Sequence, residues 1–225
     1  MVIAGKLFRL KDPLPLDEIA LRLKNLKRET SINDKISLIT EVSNLTLNNN
    51  RLEGLLLRDV PISFRSRGEL VTTVKTLEIP FVFTRQGEET LLLVVEKKNT
   101  ANWVANLLSE LLFLNIGGIV EVRIPPEKLR EYHEINAEDS KVVFFEDVDI
   151  PNVNKLSLYG STLSTTSLYN EYLSHGKIWY IVVRSKKHDI VVGLTRDGVV
   201  TVFSRIDIPD FIDFVLTEVA EMALS

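Results

Sequence analysis

The sequence predicts an α+β protein with two similar halves, each an antiparallel sheet backed by helices. Each half reads as a strand, a helix, a run of strands and a closing amphipathic helix. The pair Gly117-Gly118 separates the halves, because glycine readily adopts the left-handed conformation that ends helices. No proline-rich or serine-rich linker follows, which favours close packing of the halves. The predicted domains are residues 1–116 and 117–225, with an insertion at 161–176 in the second.

The first half follows this order from its amino end. A strand at 6–10 precedes a helix at 17–28, and apolar runs between residues 36 and 96 predict strands. The closing helix at 101–113 follows Asn99-Thr100, where a capping side chain is available, and it carries an apolar stripe typical of a core-facing helix.

The second half repeats the order with clearer turn signals. It has a strand at 119–124, a helix at 126–134, strands between 141 and 203, and a final helix at 209–224. Two apolar strands flank Arg196-Asp197-Gly198, which predicts a hairpin whose loop uses the positive φ of glycine. Together with the apolar run before it, this hairpin predicts a three-stranded meander.

This element order is similar to the topology of the TATA-binding-protein fold, in which two repeats form one curved sheet backed by helices. The likeness covers most of the chain and rests on element order, without a shared motif. A duplication like that of the sliding clamps, or an unrelated pair of α+β domains, fits the same pattern. Duplicated units usually pack as a pseudo-symmetric pair, so we expect a functional surface along or across the seam between the halves.

Composition narrows the class of protein. The chain has 225 residues and no cysteine, which excludes disulfides and thiolate chemistry and is typical of intracellular proteins. No signal peptide and no apolar run of membrane-spanning length are apparent, so we expect a cytoplasmic protein without a membrane partner. Residues 1–115 carry a net charge of +2 and residues 116–225 a net charge of −6, which confines any nucleic-acid contact to a patch on the first half.

The common catalytic signatures are missing from the sequence. It contains no dinucleotide, phosphate-loop, zinc-protease or esterase motif, and we assign no catalytic residue and no cofactor. The three histidines, His133, His175 and His188, fall in predicted helix ends or turns. Two of them adjoin carboxylates, but adjacent residues point in different directions, so we expect solvated positions.

A weak metal-site pattern lies near Asp147 and Asp149. Strand alternation would place both carboxylates on one face, a spacing that suits a hard cation such as magnesium. Aspartates are also common before a turn like the one at Pro151, and that interpretation is favoured. No metal ligand is therefore assigned, and a metal-dependent enzyme is a distant alternative.

A basic ridge between residues 51 and 85 is the candidate nucleic-acid interface. Residues 61–68 predict a loop or hairpin tip whose arginines could contact phosphates while an aromatic ring stacks or wedges between bases. The alternative has the ring in the core and the arginines solvated or paired with acids. The candidate residues are Arg51, Arg58, Phe64, Arg65, Arg67 and Arg85.

A tyrosine-rich segment around the insertion is the candidate partner surface. Tyrosine and tryptophan are frequent at interface hot spots because each combines apolar area with a polar tip. The alternative is that these rings pack on the sheet. The candidate residues are Tyr159, Tyr169, Tyr172 and Trp179.

The leading hypothesis is a non-enzymatic protein-interaction or oligomerisation module, in one version part of a nucleic-acid-processing complex. Its basis is an aromatic cluster and an internal duplication in a chain without catalytic motifs. Self-association is also expected because apolar strands at a sheet margin are open to edge pairing. The alternative function is direct nucleic-acid binding through the basic ridge.

Overall fold

The computed structural model describes residues 2–33, 36–48 and 50–224. Over these residues the protein is mostly antiparallel sheet, with twelve strands holding 45% of the chain against 30% in helices. The prediction of a balanced α+β protein with two helix-backed repeats and a topology like that of the TATA-binding protein is therefore wrong. The physical reason is strand length, since one strand in the first half reaches 18 residues where the second half has none longer than nine.

The strands lie at the following positions in the described chain. They are β1 (Ile3–Leu10), β2 (Lys27–Asn33), β3 (Ile36–Asn48), β4 (Arg51–Ser66), β5 (Glu69–Gln86), β6 (Glu89–Val94), β7 (Ile119–Glu121), β8 (Val142–Glu146), β9 (Leu156–Tyr159), β10 (Lys177–Ser185), β11 (Ile190–Thr195) and β12 (Val199–Val202).

The helices follow the predicted order but differ in their limits. They are α1 (Leu16–Leu23), α2 (Lys98–Phe113), α3 (Pro126–Ile135), α4 (Ser167–His175), α5 (Ile208–Phe214) and α6 (Ala220–Leu224), with a π-helical turn at Val215–Val219 joining the last two. The helix predicted at 17–28 was too long, because the chain from Lys27 pairs with β3 instead, placing Lys27 opposite Glu41. Pairing with a neighbouring strand overrides the local helical pattern there.

The described residues form two compact units, neither of which is one continuous segment. The first unit comprises residues 2–8, 97–101 and 121–224, and the second comprises residues 9–96 and 102–120. The predicted domains 1–116 and 117–225 stay a prediction, and their outer ends at 1 and 225 lie outside the described residues.

The second unit is built on an antiparallel meander in the order β2-β3-β4-β5-β6. Its core lies at the base of the long central strands, where side chains such as Leu52, Leu56, Phe81 and Phe83 are fully buried. On β4, Leu52 and Leu56 alternate with less buried residues, whereas on β5 all four residues from Phe81 to Thr84 are buried, so both faces of the strand are covered there. Burial of this apolar set stabilises the base of the meander.

The first unit contains the strand order β12-β11-β10-β8-β9, and the start of β1 pairs with β12. Helix α3 packs against β10. The predicted hairpin is confirmed, since Ile190–Thr195 and Val199–Val202 pair across a turn in which Gly198 has a φ of 74°. The final helix is also confirmed; Asp207 caps it by accepting a hydrogen bond from the Asp210 amide. None of the described helices combines the length and apolar character needed to span a membrane.

Replacing Gly198 with alanine should destabilise the protein strongly. A Cβ at this position would lie 2.4 Å from Val122 Cγ2 and 3.0 Å from the Leu7 carbonyl, besides the cost of a positive φ. We expect a loss of about 3 kcal/mol in the free energy of unfolding, measured by urea denaturation.

Gly87→Ala is the matched control for this substitution. Gly87 also lies in a hairpin turn, with a φ of 60°, but a Cβ there would meet nothing within 4 Å. Only the backbone cost remains, so we expect a loss of about 1 kcal/mol. Equal losses in the two variants would show that the close approach at Gly198 does not matter.

Candidate interaction surfaces

The distal halves of β4 and β5 form a two-stranded ribbon, residues 59–76, which we call the β4–β5 arm. Strand β3 pairs with β4 only as far as Thr40 opposite Arg58. Strand β5 pairs with β6 only from Phe81 onward. Between these limits β4 and β5 pair with each other alone, and every residue from 61 to 76 is exposed. At the usual rise per residue the arm is about 25 Å long.

The turn at the end of the arm explains its register. Ser66 is opposite Glu69, and Arg67 and Gly68 between them both have positive φ, at 49° and 88°. Two central residues with positive φ define the two-residue turn whose twist matches that of antiparallel strands. The predicted hairpin tip is therefore confirmed, although residues 61–66 continue the strand instead of forming a loop.

Polar contacts hold the two strands of the arm together. The Ser63 and Thr72 hydroxyls lie 2.8 Å apart across the ladder. At the arm's base Asp59 accepts hydrogen bonds from the Thr76 hydroxyl at 2.6 Å and from the Ile39 amide at 3.0 Å. These two bonds lower the pKa of Asp59 below its ordinary value.

The arm carries apolar side chains on both of its faces. Residues directly opposite in the ladder share a face, so Phe64 and Val71 lie on one face and Pro61 and Val74 on the other. The large exposed apolar side chains, with their exposed fractions, are Ile62 (40%), Phe64 (49%), Leu70 (71%), Val71 (38%) and Val74 (37%). Both faces of the arm therefore expose apolar side chains to solvent.

The residues of the predicted basic ridge are dispersed along the hairpin. Arg65 and Arg67 are exposed at the tip with Phe64, whereas Arg51 lies about 45 Å away along β4 at the base. Arg85 is also at the base, where its side chain donates to the Gly87 carbonyl at 3.3 Å. The six candidates therefore do not form one patch.

Arg58 has a different environment from the other arginines. Its guanidinium lies 3.5 Å from the centre of the Trp103 ring on α2, a cation–π contact within the second unit. Partial burial lowers the pKa of this guanidinium below its ordinary value. The half-buried side chain thus stacks on a ring of its own unit where the sequence pattern predicted a phosphate contact.

An aromatic cluster lies on one face of the first unit's sheet, and we call it the aromatic face. The Phe144 ring is central, with ring centroids of Tyr159, Trp179 and Tyr180 within 5.4 to 5.7 Å of its own. Lys155 Nζ lies 4.4 Å from the Trp179 ring centre. Tyr159 is 69% exposed, so this cluster is accessible at one side.

A β-bulge places two adjacent aromatic residues in this cluster. In the pairing of β10 with β8, Ile178 is opposite Phe145 but Tyr180 is opposite Phe144, so Trp179 is an extra residue. A bulge interrupts strict alternation, and Trp179 and Tyr180 consequently both approach Phe144. Within the described residues the Trp179 Nε1 atom is buried without a hydrogen-bond partner.

The other two candidate tyrosines lie apart from the aromatic face. Tyr169 is 1% exposed, and both Tyr169 and Tyr172 of α4 make edge contacts with the Phe145 ring. Phe145 alternates with Phe144 along β8, so it faces the core. The predicted partner surface therefore divides into Tyr159 and Trp179 on the aromatic face and Tyr169 and Tyr172 on α4.

A buried histidine of α3, His133, stacks against Tyr169 of α4. His133 is fully buried, its Nδ1 lies 3.1 Å from the Tyr169 hydroxyl and its Nε2 lies 2.6 Å from the Ser140 hydroxyl. Burial lowers the pKa of His133 to about 4, and burial raises the pKa of Tyr169. The expected solvated position for this histidine was wrong, because it fills a polar niche in the core.

The sequence analysis missed a charge cluster around the buried side chain of Lys6. Lys6 is fully buried, forms an ion pair with Glu121 and lies 3.9 Å from Asp197, which also pairs with Lys98. Burial opposes ionisation of Asp197, but hydrogen bonds from Lys98 and from Thr195 together lower its pKa. The hydrogen bond from Lys98 to Asp197 raises the pKa of that lysine. The buried ammonium of Lys6 is thus compensated by carboxylates, as a buried charge requires.

Asp147 and Asp149, the two carboxylates of the weak metal-site pattern, lie outside any strand and contact different partners. Strand β8 ends at Glu146, so the alternation that was to align Asp147 and Asp149 does not exist. Arg196 pairs with Glu146 at 2.6 Å and with Asp147 at 3.7 Å, whereas Asp149 lies 2.8 Å from His175 Nδ1. Among residues 2–33, 36–48 and 50–224 no group of three or more potential metal-ligating side chains comes together.

A small cavity of about 180 Å³ lies between α3 and the C-terminal helical segment of the first unit. Glu131, Glu218 and Glu221 line it together with Lys128. Glu218, in the π-helical turn, pairs with Lys187 at 2.6 Å. The negative charge that lines the cavity is thus partly compensated within the protein.

Comparison with protein-family models and with curated proteins gives no match for this chain.

The buried His133 should make stability depend on pH. Its folded-state pKa of about 4 lies below the ordinary value of 6.5, so the unfolded chain binds more protons between these values. The stabilisation is complete above pH 6.5 and is lost as the pH falls toward 4, by up to about 3 kcal/mol. Urea denaturation at pH 7 and at pH 4.5 measures this loss.

His133→Gln tests the assignment, because glutamine can hydrogen bond with the two hydroxyls but does not titrate. We expect a smaller difference between pH 7 and pH 4.5 in this variant than in the wild type. The carboxylates titrate equally in both proteins, so their contribution cancels. Identical pH dependence in the two proteins would exclude His133 as the source.

Proposed function

We propose that the protein is a non-enzymatic protein-interaction module that docks through the β4–β5 arm. The observation that carries the proposal is the unbroken exposure of residues 61–76, which include the five large apolar side chains described above. Ile62, Phe64 and Val71 share one face of the arm, and an exposed apolar patch of this kind is typical of interaction sites. A docked protein would remove these side chains from water.

The arm also needs stabilising contacts beyond those between its own two strands. An isolated two-stranded ribbon is at best marginally stable in water, whereas a third strand or an apolar partner surface stabilises it. Completing the burial of five half-exposed apolar side chains would contribute about 5 kcal/mol. A micromolar complex requires about 8 kcal/mol, so the arm would supply a large share.

The charge of the arm supports a protein partner over a nucleic acid. Residues 59–76 include Arg65, Arg67 and Lys75 but also Asp59 and Glu69, a net charge of only +1. Non-specific affinity for nucleic acid depends on neutralising many phosphates, which so small an excess does not do.

The aromatic face supports the same function from the first unit. Tyr159 and Trp179 lie beside Phe144 and Tyr180, and Lys155 adds a cation at the edge. Large rings with polar atoms at their margins are the side chains most enriched at interface hot spots. We include this surface as a second contact region for a protein partner.

Photo-crosslinking in the native cell tests the proposal. A photoreactive amino acid replacing Leu70, which is 71% exposed on the arm, should give a protein adduct of discrete mass, because a partner lies against the arm. The same probe replacing Leu21, which is 75% exposed on α1, is the matched control and should give none. Immunoblotting detects any adduct of either variant. Absence of an adduct specific to position 70 would reject the arm as a protein-docking element.

Direct nucleic-acid binding by the tip is the second candidate function. Its specific observation is that Phe64, 49% exposed, lies beside exposed Arg65 and close to exposed Arg67. β-Ribbon proteins use such tips to contact phosphates and to insert an apolar side chain between bases.

Fluorescence anisotropy with DNA and RNA at two salt concentrations tests this second function. Binding that weakens as salt rises, and falls about tenfold in the Arg65→Ala, Arg67→Ala double variant, is the expected result, since two phosphate contacts are removed. Lys75→Ala, farther from the tip, is the control and should change affinity less. An unchanged affinity in the double variant, or no binding at low salt, would eliminate the tip as a nucleic-acid site.

A further inference from the structure

Strand β5 presents an unpaired backbone edge along the arm. The Pro80 carbonyl accepts a hydrogen bond from the Val95 amide at 2.9 Å, whereas the Arg85 amide donates to the Asn50 carbonyl on the β4 side. Backbone groups alternate in direction along a strand, so the even-numbered residues of β5 point away from β4. Leu70, Thr72, Val74 and Thr76 therefore direct their amides and carbonyls to the free edge. No other described strand pairs with β5 there.

The opposite edge of the arm is blocked. Pro61 is opposite Val74, so its nitrogen lies at an outward position of β4 where a free strand would need an amide donor. Proline is a common means of protecting an edge strand from pairing. Residues 70–77 of β5 contain no proline and no acidic residue, and five of the eight are valine or threonine. These residue types favour strand pairing.

We infer that two copies of this chain associate through their β5 edges, pairing residues 70–76 antiparallel about a two-fold axis. The inference rests on the proposed function and names its partner as a second copy. The same edge meets itself at a two-fold axis, which is the commonest symmetry of protein dimers. A pairing centred on Thr73 uses all four outward residues of each copy and forms about eight backbone hydrogen bonds.

The charges on β5 select this register. With Thr73 at the centre, Lys75 is opposite Val71 of the second copy and diagonal to Glu69 of that copy, and the contact occurs twice. A diagonal neighbour lies within reach of a long side chain, and opposite charges there are favourable. Moving the centre to Val74 would instead bring the two copies of Lys75 diagonal to each other.

The pairing also supplies the support that the arm lacks. Two arms joined through β5 give a four-stranded sheet, above the three strands that independent stability requires. Phe64, Ile62 and Val71 share one face of each arm. In the four-stranded sheet these faces become continuous across the axis.

A pair of proline variants tests the inference. Thr72→Pro removes an outward amide from the β5 edge, and Ser63→Pro removes the outward amide directly opposite it on the β4 edge. Both variants lose the Ser63 to Thr72 side-chain hydrogen bond, and neither loses a backbone hydrogen bond between β4 and β5. Sedimentation equilibrium of the full chain should show a wild-type dimer, a Ser63→Pro dimer, and a Thr72→Pro dimer weakened about 100-fold.

A cysteine at the axis provides an independent readout that does not require a loss of stability. The chain has no cysteine, so Thr73→Cys introduces a single thiol. Directly opposite residues at a non-hydrogen-bonded position have Cα atoms about 4.5 Å apart, which permits a disulfide. Mild oxidation should convert Thr73→Cys to a covalent dimer, and Ser63→Cys, on the blocked edge, should remain largely monomeric.

The outcomes separate this inference from the proposed function. A monomeric wild type, equal weakening by both prolines, or equal crosslinking at both cysteines would overturn the β5 dimer. If the Leu70 probe then still gives an adduct with a different protein, docking through the arm is retained and only the second copy is rejected. If that probe gives no adduct, both ideas fail together.

Discussion

The backbone ladder between β4 and β5 is the interaction on which the second unit depends. Every residue of β4 has a partner in it, from Arg51 opposite Thr84 at the base to Ser66 opposite Glu69 at the tip. At the base, side chains such as Leu52 and Phe83 are buried and keep the two strands in register. That register extends into the arm, where the ladder, a few polar contacts and the turn are the internal constraints. The arm thus derives its shape from a core located at its base.

In the first unit, buried polar groups have a comparable organising role. Each buried charge or ring nitrogen costs free energy unless a partner replaces its water. Lys6 is compensated by Glu121 and Asp197, and His133 by the hydroxyls of Tyr169 and Ser140. The contact between His133 and Tyr169 joins α3 to α4. The aromatic face, on the other side of β8, is left as the accessible surface.

Local patterns predicted much of the secondary structure but little of either surface. The hairpin at Gly198 and the C-terminal helix could be predicted because turn glycine, capping and apolar spacing act over a few residues. The prediction of a loop or hairpin tip at residues 61–68 missed that β4 continues to Ser66, because an outward position on an edge strand tolerates Pro61.

The contacts that failed to be predicted are those between distant parts of the sequence. Lys6 and Glu121 are 115 residues apart, and Arg58 meets Trp103 from another element. No single-sequence pattern specifies such pairs. The shared approach of Trp179 and Tyr180 to Phe144 had a local cause that was equally hidden, because a one-residue bulge at Trp179 interrupts the alternation of β10.

Pro61 has a consequence for how far assembly can proceed. A ribbon with two open edges can recruit strands indefinitely, which is the geometry of fibrils. In the arm, Pro61 removes an amide donor from the middle of the β4 edge. A dimer joined through the β5 edges would therefore expose only β4 edges, which this proline protects from pairing. A dimer formed as inferred above would therefore not grow further. A single imino acid on an exposed strand can in this way separate specific association from precipitation.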